Sequence, residues 1–299
     1  MDEGDNKIDY CIVTHAHTDH YAGFATGKNV KSIFDLFTFG TIIDFGTATN
    51  KETDLNKATG MMKNYLTNRN EAVKDDYFNS ATNEKDNNKT YYIGNENEVK
   101  LEILYNEYNA KDESDSENNY SVCVLLTYDN KEFLFTGDLE ELRSNAETKL
   151  LKNNQSLKDI QLSGDGVELY KAGHHGSSSS SSKGFIDAIK PKMVCVCCCA
   201  GSPEYTDDID NQFPTQEFVS VVGKYTKNIY VTTLCVDWDN DEFISMNGNI
   251  VVIALPNKDL GINCSNNETI LKDTEWFNKI VEFKGIQRPM RIWPSDGVQ

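Results

Sequence analysis

The chain has 299 residues, enough for one large domain or two small ones with a substantial core. Its 47 Asp and Glu against 29 Lys and Arg give a formal charge of −18 in a composition that is 25% charged. So acidic a surface disfavours a non-specific grip on nucleic acid or anionic membrane, and no run approaches the roughly 18 apolar residues of a membrane helix.

The opening MDEGDNK has neither the basic nor the apolar region of a secretory signal, so the chain is expected in the cytoplasm. Residues 8 to 14, IDYCIVT, are β-branched and apolar and predict a strand that runs into a histidine-rich loop. From about 47 to 90 the sequence turns polar, with a weak helical pattern around Met61 to Leu66, and reads as a surface helix and loop excursion. Strands are expected at Tyr91 to Ile93 and Val99 to Tyr105, then a solvated acidic loop, NEYNAKDESDSENN. SVCVLLTYDNKEFLFTG predicts a hairpin turning at Asp129, Asn130 and Lys131 and ending at Gly137 and Asp138.

A helix is expected from about Glu140 to Leu151, and then a strand, VELYKAG, that stops at His174 and His175. The serine run Ser177 to Ser182 follows; next to two histidines it suggests a hinged or helix-capping loop. FIDAI and FPTQEFVSVVGKY predict helices, and NIYVTTLCV and NIVVIAL strands, while the segment from about 257 reads as an irregular tail. Strands alternating with helices, without a linker, predict a single α/β layered domain over 1–299.

Four of the eight cysteines crowd into Cys195, Cys197, Cys198 and Cys199, where neighbours on one strand cannot reach disulfide geometry. Reduced thiols are expected, on a strand buried on both faces.

The five histidines fall at only two places. THAHTDH holds His15, His17, Asp19 and His20 at the end of a strand, where a tight loop can aim all four ligand atoms into one small volume. One histidine so placed is usually structural; three with an aspartate are the donor set of a metal site. Asp138 and the doublet His174–His175 also end strands, the position where α/β folds keep their sites.

THAHTDH resembles the HxHxDH signature of the metallo-beta-lactamase fold superfamily. FLFTGD and KAGHHGS resemble two further motifs of the branch that holds the soluble hydrolase domain of DNA-internalisation competence proteins and its short stand-alone relatives. The resemblance runs in order over about residues 8 to 255 and implies an αββα sandwich. It also implies that His15 and His17 ligate one divalent ion, Zn or Mn, that Asp19 and His20 ligate a second, and that Asp138 bridges them. His174 is then a further ligand and His175 a proton donor or oxyanion stabiliser, their order being open. Three departures stand out. Only 14 residues precede His15, so either the sequence is clipped at its start or the first strands of the sandwich are missing, which would leave an exposed sheet edge. Asn118, Asn119 and Ser121 stand where many relatives have a histidine, and Phe213 precedes Pro214 where the branch has His-Pro. The second metal is therefore expected to be the weaker.

The implied reaction is hydrolysis by a metal-activated hydroxide, with Asp19 or Asp138 orienting it and His175 protonating the leaving group. A small phosphodiester, ester or lactone suits an acidic chain better than a polynucleotide. A nuclease acting on single-stranded DNA, and a non-catalytic protein that keeps a metal to hold its loops, are the alternatives.

Overall fold

A computed structural model describes residues 6–26, 30–46, 55–73, 76–79, 89–94, 96, 98–105, 116–142 and 144–299. It is a mixed α/β structure divided into two compact units, one made of Met1–Lys89, Ile103–Val124 and Gly137–Leu139, the other of the remainder. Residues 106–115 of the expected acidic loop, and 47–54, 74–75 and 80–88 of the polar stretch expected at 47–90, lie outside the described residues.

The first unit is built on a parallel sheet ordered β1 (Lys7–Ile12), β2 (Thr38–Asp44), β3 (Asp76–Asn79). β2, which periodicity did not single out, is the central strand, and Phe39, Ile42 and Ile43 on it are buried. β1 ends the strand order, and its exposed Lys7 and Asp9 pair at 2.9 Å, charges of the kind that discourage further strand addition. The short helices α1 (Thr18–Tyr21) and α2 (Ile33–Leu36) precede β2, and α2 is closed by a reciprocal Ser32–Asp35 capping box. α3 (Gly60–Ala72) is no surface excursion. Its Tyr65 and Leu66 are fully buried, and Tyr65 stacks on Phe45 at 5.6 Å and meets Tyr21 at 5.4 Å. Buried Arg69 of α3 donates from Nη1 to Asp44 Oδ2 at 2.8 Å, and Tyr65 donates to the same oxygen at 3.0 Å.

The second unit carries most of a long sheet whose order is β11-β10-β9-β8-β7-β6-β5-β4. In chain order these are β4 (Thr90–Ile93), β5 (Val99–Tyr105), β6 (Cys123–Tyr128), β7 (Lys131–Phe135), β8 (Leu169–Lys171), β9 (Met193–Ala200), β10 (Ile229–Asp237) and β11 (Glu242–Ser245). Asp129 and Asn130 both have positive φ, so the β6–β7 turn is the two-residue kind that matches strand twist. β7, β8, β9 and β10 run parallel, and their registers align Phe133, Leu169 and Met193 on one face and Leu134, Tyr170 and Val194 on the other. The second face is covered by α4 (Ala146–Asn153), α5 (Gln155–Ser163), α6 (Lys183–Ile189) and α7 (Gln216–Val222), with Tyr170 meeting Phe185 edge-on at 6.0 Å. Against the first face packs a hairpin, β12 (Ile250–Ile253) with β13 (Gly261–Cys264), through Ile250, Val252 and Ile262. β9 is thus buried on both faces only in part. Val194 and Val196 are sealed under the helices, but Cys197 is exposed. All eight cysteines are free thiols, as their crowding predicts.

The tail expected from about 257 is ordered. It holds β13, then α8 (Glu275–Asn278) and a second hairpin, β14 (Ile280–Phe283) with β15 (Ile286–Pro289). The fixing residue is Arg291, fully buried, whose guanidinium donates to the carbonyls of Pro214 (2.9 Å), Gln212 (2.6 Å) and Met290 (2.8 Å) and lies over Trp276. Among the described residues no helix is long and apolar enough to cross a membrane.

The serine run is a built loop. Glu147 of α4, fully buried, accepts from the backbone N–H groups of Ser181 (2.6 Å) and Ser182 (2.9 Å) and from Ser180 Oγ (3.3 Å). Ser182 then caps α6, the helix-capping role its position suggests. Burial pushes the Glu147 carboxyl up to about 7, although these hydrogen bonds favour the carboxylate. The folded chain therefore holds a proton that the unfolded chain releases, and stability falls as pH rises from about 4.5 to about 7. Denaturation of Glu147→Gln across that window is expected to lose this slope. At low pH the variant should still be weaker by about 1–3 kcal/mol, because its amide N–H₂ faces a backbone donor.

Candidate metal centre

β1 delivers the first group. The Val13 N–H still donates to the Ile43 carbonyl at 3.0 Å; from Thr14 onward the chain leaves the sheet and turns into α1. The Thr14 carbonyl accepts from Val122 N–H at 2.9 Å, anchoring the loop. The Thr14 hydroxyl lies 3.2 Å from His15 Nδ1 and 3.0 Å from His20 Nδ1, so one side chain orients two rings. It leaves their Nε2 atoms for other partners. His15 Nε2 faces His17 Nδ1 at 3.1 Å, and His20 Nε2 lies 3.3 Å from Asp19 Oδ2 and 3.2 Å from Asp138 Oδ2. Asp138 Oδ2 also stands 4.0 Å from His15 Nε2.

The approach of Asp138 depends on its neighbour. Gly137 has φ +55°, and a Cβ there would lie 2.7 Å from Ser121 Oγ and 3.0 Å from Thr14 Cβ. Only glycine lets the strand end pass so close. The Asp138 N–H then donates to Ser121 Oγ at 3.0 Å, and the carboxylate is buried, as is His15, while His17 and Asp19 are exposed. Ser121 thus positions the carboxylate.

These residues fit a divalent metal. His15, His20 and Asp138 bring ligand atoms within 4.8 Å of one another. Two nitrogens on one tetrahedral ion at roughly 2.0–2.1 Å lie about 3.3 Å apart, close to the His15–His17 separation. Imidazole and carboxylate donors suit zinc, manganese or iron. Burial, reinforced by His20, holds His15 well below the usual histidine value, which keeps it in the neutral form a ligand requires. Burial also opposes charge on His20, but its bonds to Asp138 and Asp19 outweigh this and raise its pKa.

The doublet lies in the second unit, where β8 ends in a turn with His174 and His175 both at positive φ. His174 Nδ1 is 3.0 Å from Glu140 Oε1 and 3.0 Å from Ser179 Oγ, and Ser179 itself donates to Glu140 Oε1 at 2.5 Å. His175 Nδ1 is 2.7 Å from the Cys197 carbonyl, which can only accept. These partners assign the proton to Nδ1 in both rings and leave Nε2 as the lone-pair atom, the usual arrangement of a metal-ligating histidine. His175 therefore has the same ligand-ready tautomer as His174, and proton donation from it requires the imidazolium. Phe213 places its ring 5.8 Å from His174 and 5.9 Å from His175, with Tyr205 at 5.7 Å from it.

Sequence reasoning missed Thr14, Glu140 and Ser179. Thr14 opens the motif that carries the histidines, and Glu140 follows the Gly-Asp pair by two residues, but neither has a spacing that marks it as an orienting group.

No family model matches the chain, and no curated protein matches it. Among solved structures it is similar to a mutant form of the CmlA beta-hydroxylase and to CmlA, a diiron beta-hydroxylase from Streptomyces venezuelae. Each comparison has 14% identity and a TM-score of 0.35 and covers 64% of this chain. The chain spans about a third of those proteins, 36% and 35% of their lengths.

Proposed function

We propose that the chain is a metal-dependent hydrolase of the metallo-beta-lactamase fold superfamily, an αββα-type enzyme acting on a small phosphodiester, ester or lactone. The observation that carries this reading is the division of labour around Asp138. His15 and His17 face one another at 3.1 Å, Asp19 and His20 meet at 3.3 Å, and Asp138 Oδ2 reaches toward both groups. These contacts support the two-site reading the resemblance implies, with Zn or Mn as the proposed ions.

Divalent ions held there supply Lewis acidity and activate water at neutral pH. The protein's part is positional. Thr14 fixes the planes of His15 and His20, Ser121 holds the backbone of Asp138, and buried His15 stays neutral. The exposed carboxylate of Asp19 is the group best placed to orient a reacting water through a hydrogen bond. The resemblance adds His174 as a ligand and His175 as proton donor; with Nδ1 engaged in each, Nε2 of His174 can ligate, and Nε2 of His175 can donate only from the imidazolium. The formal charge of −18 favours small substrates over polynucleotides.

The test is turnover of a bis-aryl phosphodiester, a lactone and single-stranded DNA by the chain loaded with zinc, manganese or iron. The expected result is turnover of a small substrate that a chelator removes, metal restores and His15→Ala abolishes. DNA cleavage that depends on His15 would replace the small-substrate reading with a nuclease. Bound metal with no turnover of any substrate would point to the non-catalytic alternative.

A further inference from the structure

We propose that the second unit binds an uncharged amphiphile, an alkyl chain carrying a glycerol-like hydroxylated head, in the cavity between the long sheet and the β12–β13 hairpin. The cavity measures about 920 Å3, within the range typical of small-molecule sites. Its lining changes character across the sheet. Over β6 and β7 it is made of Leu126, Tyr128, Phe133 and Phe135, and Ile250 and Val252 of the hairpin face them. Over β10 and β11 it is polar: Thr233 and Ser245 pair in register there, and Asn249 joins them from the approach to β12. Four strand spacings separate β10 from β6, on the order of 19 Å. A ligand that meets both regions is therefore elongated, apolar along its length and hydrogen-bonding at one end.

Both regions are open to such a ligand. Leu126, Tyr128, Phe135, Ile250 and Val252 are only half-buried, so apolar wall stays wet in the free chain, and each methylene that covers it should tighten binding about fourfold. At the polar end, the side chains of Thr233, Ser245 and Asn249 have no protein hydrogen-bond partner among the described residues, and Ser245 and Asn249 are exposed, which makes this end the mouth. Thr232 beside them is already engaged, donating to the Cys198 carbonyl at 3.0 Å. Lys171 also lines the cavity but is engaged within the protein. What the mouth offers is hydroxyl and amide groups that both donate and accept, the match for a neutral diol. The cavity also accounts for the partial exposure of the cysteine strand, since Cys195 and Cys197 both line it.

Binding here is independent of the metal centre, and ether ligands keep it so, because they offer no ester to hydrolyse. Decylglycerol and octylglycerol ethers and decyl methyl ether would be titrated calorimetrically, below their micelle concentrations, into the full chain with and without chelator. The expected result is one decylglycerol ether per chain, unaffected by chelator. The octyl compound should bind roughly tenfold weaker for its two missing methylenes, and the methyl ether roughly tenfold weaker for its missing hydroxyls. Thr233→Val combined with Ser245→Ala should bring the diol to within about threefold of the methyl ether. Val252→Trp, which fills the cavity, should abolish binding of both; thermal melts identify any variant that fails to fold. The proposal is overturned if decylglycerol ether does not bind, if decyl methyl ether binds as tightly, if the folded double variant keeps the full gap, or if a folded Val252→Trp chain binds as well as the wild type.

Discussion

Replacing Asp138 by alanine is expected to lower turnover of the preferred small substrate on the order of 10³-fold or more while leaving the far-ultraviolet dichroism unchanged. Its Oδ2 approaches both His20, at 3.2 Å, and His15, at 4.0 Å. Losing a residue that merely orients a ligand costs about 10–100-fold, so losing a carboxylate shared by two groups should cost more. Ser121→Ala gives the graded comparison. It removes the oxygen that accepts from Asp138 N–H, keeps the carboxylate, and is expected to fall in the 10–100-fold range. Equal loss in both variants would mean that the local backbone, and not the carboxylate, is what matters.

The largest stability effect is expected at Asp44, a residue with no part in the chemistry. It is fully buried at the end of β2 and accepts from Arg69 Nη1 and from the Tyr65 hydroxyl. Asp44→Ala leaves a buried guanidinium without the carboxylate that faces its Nη1, and its bonds to Asn70 Oδ1, at 3.2 and 2.9 Å, are to a neutral amide. Breaking a buried pair from one side costs about 3–5 kcal/mol, a large share of a typical domain's stability. The double variant Asp44→Leu with Arg69→Met removes both charges and should be less damaging than Asp44→Ala. Urea denaturation of the three proteins checks the order; a double variant that falls below the single one would show that the pair contributes more than its desolvation takes away.

The site was legible where the chemistry is local. His15, His17, Asp19 and His20 share one turn, so their types and spacing announce a metal site without knowledge of the fold. Asp138 and the doublet stand out as candidates because each ends an apolar strand. What escaped depends on distant partners. α3 reads as a weak surface helix because one of its buried positions is Arg69, which Asp44 on another element makes tolerable. The ordered tail was hidden for the same reason, since Arg291 is held by carbonyls of residues 212 and 214, far back in the chain. The serine run looks like low complexity, yet buried Glu147 holds three of its residues. The cysteine strand was read as buried on both faces because its composition is uniformly apolar. Composition does not reveal that a cavity opens on one side.

Metal stoichiometry tests the central claim most directly. The chain would be equilibrated with zinc or manganese, freed of excess ion, and its metal measured per mole of protein by elemental analysis. The account predicts about two ions per chain, the weaker lost first on dilution, and a marked fall in His15→Ala and Asp138→Ala proteins that remain folded. A folded wild-type chain that retains no metal, or variants that retain as much as the wild type, would contradict it.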